Sequence, residues 1–137
     1  MAKAINWPSS FRETILAEGT ETLYTAVRLG RLYYDHCFWV DQEVVDIRVN
    51  HLRVRKGIVQ GDLSLYAIGE IPGEVFARLR PGMQDKDSLM NYLKSTYANE
   101  TVTFETLVTV VNYKNLPVIA DEIETPANAG DPHHVAS

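Results

Sequence analysis

The stretch 38–71, FWVDQEVVDIRVNHLRVRKGIVQGDLSLYAIGEI, limits this chain more than any other part of it. Val45, Ile47 and Val49 occupy alternate positions, with Asp46, Arg48 and Asn50 between them. Side chains alternate across a strand with a period of two, so this half reads as a strand with one apolar and one polar face. The apolar positions then change phase: Leu52 and Val54 carry even numbers where the earlier set is odd. One flat strand cannot keep both sets in a core, because a slip of one residue moves every side chain to the other face. A residue must be added near Asn50-His51, by a bulge or by a tight turn. Asn-His is not among the strong hairpin pairs, so a bulge is the expectation. With a bulge, Arg48, Arg53 and Arg55 share one face. With a turn, they lie on neighbouring strands.

The same stretch holds the concentrated positive charge of an acidic protein. The net charge is −5 over 137 residues. Residues 28–60 carry Arg28, Arg31, Arg48, Arg53, Arg55 and Lys56 against four acids, a net of +2, whereas residues 61–137 sum to −6. A nucleic-acid binder driven by bulk charge would be basic overall, which argues against that class. A local basic patch is still compatible with an acidic body. Arg28, Arg48, Arg53, Arg55 and Lys56 are therefore the candidate ligand-binding residues, since arginine offers a fork of donors to phosphate or carboxylate. The competing reading is a solvated sheet face on which these cations pair with nearby acids.

The remaining pattern gives the fold class. Residues 8–18 read as a helix, with Pro8 at its start, Ser9 or Ser10 as cap and Gly19 as stop. Residues 22–28 read as a strand, and the aromatic run 31–40, RLYYDHCFWV, as a second. Gly61-Asp62 opens another strand that runs to about residue 71. Residues 74–80 suit a short helix. Residues 85–97 suit a longer one, capped by Asp85 or Asp87, with Leu89, Met90 and Leu93 as its apolar stripe. Residues 101–113 are a long β-rich run. No long apolar crossover helices separate the strands. The expectation is an α+β fold with a curled, mostly antiparallel sheet or a barrel with flanking helices. One globular domain over 1–113 and a largely flexible acidic tail over 114–137 complete it.

Specific chemistry is sparse. There is no HExxH or CxxC motif and no Gly-rich phosphate loop, so neither a metal nor a cofactor is expected. His36 and His51 stand apart, and His133-His134 fall in the tail. Cys37 is the single cysteine and excludes an internal disulfide; a buried thiol beside Phe38 and Trp39 is expected. No apolar run approaches the roughly 20 residues of a membrane helix, and the first ten residues do not read as a signal peptide. These features suggest a cytoplasmic protein.

Residues 11–30, FRETILAEGTETLYTAVRLG, and the later Gly61-Asp62 resemble the ASCH domains of the PUA-like superfamily. Gly19, Glu21, Thr22 and Arg28 fall where that family has a Gly-x-Lys-Thr turn and a strand arginine. Glu21 stands in the place of the lysine and inverts the local charge. The resemblance implies a curled barrel with flanking helices, and RNA binding or hydrolysis of nucleosides or RNA. Two functional expectations follow. The first is non-catalytic recognition of RNA or a nucleotide-like anion by the arginine patch. The second is a protein-interaction module, a small subunit of a complex or a homo-oligomer, without a nucleic-acid role. A hydrolase using Glu21, Thr22 and Asp62 is a third, and the balance leans away from an enzyme.

Overall fold

The computed structural model of the chain describes residues 3–126. The fold is α+β, with mostly antiparallel strand pairing, as the element order implies. The described residues divide into two compact units, one built from 3–22, 43–58 and 114–126, the other from 23–42 and 59–113.

The first unit contains β1 (Ala4–Trp7), α1 (Arg12–Ala17), β3 (Val44–Val49) and nearly all of β4 (Leu52–Val59). The short β1 is absent from the sequence reading. It runs parallel to β3 and buries Ile5 and Trp7, while Ala4 and Asn6 alternate with them. Four residues give too little periodicity to be read without a partner strand. Ser9–Phe11 forms one 3-10 turn ahead of α1, and neither serine supplies a side-chain cap.

The phase change is resolved by both devices at once. Asn50 and His51 have φ of 50° and 67°, so they are the two central residues of a tight hairpin turn between β3 and β4. Two left-handed residues match the twist of the flanking strands, and Asn and His tolerate that region better than most side chains. The expected single bulged strand is therefore corrected to a hairpin. A bulge does exist, but in β4. Ile47 pairs with Arg55 and Arg48 with Arg53, leaving Val54 as the extra residue. Val54 is thereby buried, and the face that β4 presents is exchanged within one residue.

The second unit contains β2 (Tyr24–Leu29), α2 (Leu32–Asp35), β5 (Ser64–Ala67), α3 (Gly73–Ala77), α4 (Lys86–Thr96) and most of β6 (Leu107–Asn115). β6 pairs antiparallel with β2 and with β5. Asp85 caps α4 by accepting the Ser88 N–H at 2.8 Å, and Leu89, Met90 and Leu93 are buried as the stripe predicts. β5 ends at Ala67 and a 3-10 turn follows over Ile68–Glu70, short of residue 71. Residues 101–106 stay outside β6, where Thr103 and Thr106 close a local turn through backbone and hydroxyl hydrogen bonds.

The aromatic run 31–40 is not a strand. Asp35 and His36 donate their backbone N–H groups to the carbonyls of Arg31 and Leu32, making one helical turn. The Arg31 guanidinium grips Asp35 through two hydrogen bonds of 2.9 and 3.1 Å, a favourable i, i+4 pair. Tyr33 stacks on Trp39 at 4.8 Å, and Phe38 meets both rings edge-on. Aromatic content raises strand propensity only where a sheet offers the face to pack on. Here the rings pack on one another instead. Cys37 sits past the helical turn with φ of 47° and is exposed, not buried.

Candidate functional site

The five arginine-patch residues do not form one surface. Residues directly paired across two strands point to the same side. Asp46 pairs with Lys56 and Arg48 with Arg53, so these four share the polar face of the hairpin. Arg55 pairs with buried Ile47 and lies on the opposite, inner face, only 2% exposed. Its guanidinium donates to the carbonyls of Ile15 at 2.9 Å, Glu18 at 2.8 Å and Leu116 at 2.6 Å. Two of those oxygens belong to the C-terminal end of α1, which favours a cation, and the Ile15 carbonyl also accepts the Glu18 backbone N–H at 3.3 Å. Arg55 thus ties α1 and the segment after β6 to the hairpin. Arg28 lies in the second unit and donates to the Val27 carbonyl.

The polar face itself is paired within the unit. Asp46 is 3% exposed, accepts a hydrogen bond from Arg48 at 3.0 Å and lies 3.9 Å from Arg53. Residues 119–124 run alongside. Arg53 Nε donates to the Glu122 carbonyl at 2.8 Å, and the Arg53 backbone exchanges two hydrogen bonds with Glu124. Lys56 meets Glu122 at 2.8 Å, which holds the Glu122 carboxyl below its ordinary pKa. The part of the expected tail from 114 to 126 therefore contributes the end of β6, a 3-10 turn over Ala120–Glu122 and these contacts. His133, His134 and the rest of the expected tail lie outside the described residues.

A second locus brings together the aromatic segment 33–39, which the sequence offers only as a strand suited to a protein partner, and Asp62, which it places only at a turn. Within the second unit, Tyr34, Asp35, Cys37, Trp39, Val40, Asp41, Asp62 and Leu63 line a groove of about 500 Å³. Tyr34 is 41% exposed and Val40 50%. The groove is framed by one contact across the loops: Asp41 Oδ1 accepts the Gly61 N–H at 2.6 Å. Gly61, at φ of 79°, supplies the left-handed turn that aims this N–H, while Gln42 donates to Val59 beside it. The Gly61 hydrogen bond, then Gln42, lowers the Asp41 pKa, and Arg31 lowers that of Asp35, so both carboxylates are anionic at neutral pH. Asp62 is exposed and makes no hydrogen bond or ion pair among the described residues. The signal available in the sequence was the pairing of Asp41-Gln42 with Gly61-Asp62 as turn elements. What hid the groove was the reading of 31–40 as a strand.

Glu21 and Thr22 are exposed in the first unit and Asp62 in the second. Among the described residues, no cluster of His, Cys, Asp and Glu has the arrangement of a metal site, and no helix is long and apolar enough to cross a membrane. Compared with protein-family models, curated proteins and solved structures, the chain matches none.

Proposed function

We propose that this chain is a protein-interaction module whose docking surface is the groove of the second unit. One observation carries the reading. Tyr34 and Val40 open to solvent beside Trp39 and Leu63, while three aspartates stand around them. Exposed apolar side chains gathered around a concavity and edged by polar residues are the composition of a binding surface. An exposed, unpaired Cys37 suits a reducing setting such as the cytoplasm. The test is selection of short peptides from a display library on the full chain, followed by binding to the Val40→Glu variant. Peptides that bind the native chain, lose affinity with Val40→Glu and keep it with Arg53→Glu are expected. A library that yields no Val40-dependent peptide overturns the reading.

The second reading is recognition of RNA or a nucleotide-like anion by the hairpin face. Arg48, Arg53 and Lys56 share that face, which favours it. Against it, each of the three already has an acidic partner within its own unit, so a phosphate would have to displace Asp46 or Glu122. A PUA-like relationship is proposed only together with this reading. Fluorescence anisotropy with single-stranded RNA decides it: affinity that survives Arg48→Glu combined with Arg53→Glu sinks the idea.

A further inference from the structure

Resting on the interaction-module reading, we propose that the groove accepts a partner segment presenting a lysine or arginine flanked by aliphatic residues. Two observations converge on this occupant. First, Asp35, Asp41 and Asp62 line the groove, and Arg31 is paired with only one of them. Asp62 has no partner among the described residues, so the rim carries uncompensated negative charge. Complementary charge is what selects and steers a partner at such a rim. Second, the lining includes Tyr34, 41% exposed, whose ring face attracts a cation and accepts an aliphatic stem.

The rim also discriminates between occupants. A second copy docking by the same face would set three aspartates against three aspartates, and like charges brought together across an interface are repelled. An acidic segment meets the same penalty. A single long cationic side chain with its neighbours fits a groove of this size, which lies at the small end of ligand cavities.

The experiment uses synthetic copies of the Val40-dependent peptides and the full chain. Those peptides are expected to carry lysine or arginine, and replacing that residue by glutamine should weaken binding about tenfold. Asp62→Lys, at an exposed position without a partner among the described residues, should weaken it about as much, and more at low salt than at high. Val40-dependent peptides without a basic residue, or binding unmoved by Asp62→Lys, overturn the charged occupant while leaving the interaction module standing. Sedimentation that reveals a dimer dispersed by Val40→Glu overturns it in favour of a second copy. Absence of any Val40-dependent peptide removes the interaction reading and this proposal together.

Discussion

The hairpin face of the first unit and the groove of the second have opposite relations between charge in the sequence and charge on offer. The hairpin concentrates cations along the chain, yet Arg48, Arg53 and Lys56 meet Asp46 or Glu122, and Arg55 turns inward onto carbonyls. The groove gathers its three aspartates from segments 35–41 and 62, with no run of charge to announce them, yet Asp62 has no partner among the described residues. Linear density of charge reports which residues are near one another. Availability depends on which face each residue takes and on what the rest of the chain lays across it.

The sharpest break in this comparison is between two arginines on one strand. Arg55→Met should destabilise the protein by roughly 2–4 kcal/mol, because three carbonyl oxygens lose a charged donor and that of Ile15 keeps another, the Glu18 N–H. Arg53→Met should cost about 1 kcal/mol or less, since its side chain is partly solvated and Arg48 still serves Asp46. Chemical denaturation of both variants checks the contrast. Equal losses would mean that the bulge at Val54 does not separate their environments.

That bulge also explains how far the sequence could be read. The alternation of Val45, Ile47 and Val49 and the stripe of Leu89, Met90 and Leu93 lie within single elements, so periodicity reveals them directly. The phase break was legible as a need for one extra residue. Its resolution by a turn at Asn50-His51 plus a bulge at Val54 was not, because turn and bulge satisfy the same pattern and only cross-strand register separates them. The inward position of Arg55 depends on that register and on carbonyls 37 or more residues away in sequence. The helical turn at 32–35 was missed for a different reason. Tyr33, Phe38 and Trp39 have strand propensity, and nothing local says that they pack on one another. Of the five candidate residues, three share a face, one is buried, and Arg28 belongs to the other unit.

A smaller effect tests the turn itself. His51 holds φ of 67° while its backbone N–H donates to Asn6 Oδ1 at 2.7 Å. His51→Gly keeps that N–H, removes the Cβ from a left-handed position and creates the preferred Asn-Gly pair. A gain of about 0.5–1 kcal/mol is expected in urea denaturation. A loss would mean that the turn does not hold these two residues in the left-handed region, and the single-strand bulge would return as the better account.

The smallest effect concerns the ion pair between Lys56 and Glu122. The Lys56 hydrogen bond lowers the Glu122 pKa relative to the unfolded chain. A depressed carboxylate contributes stability that is present above its unfolded pKa and lost as pH falls through the folded one. The contribution should therefore be intact at neutral pH and disappear below the ordinary glutamate range of about 4. Glu122→Gln should lower the melting temperature slightly at pH 7 in low salt and leave it unchanged in acid, with the difference shrinking as salt is added. A difference that persists in acid would mean that Glu122 acts through packing. The same pair then bears on the first comparison. If Glu122→Gln also raises affinity for single-stranded RNA, the cations of the hairpin are withheld by residues 119–124 and not by their placement on the sheet.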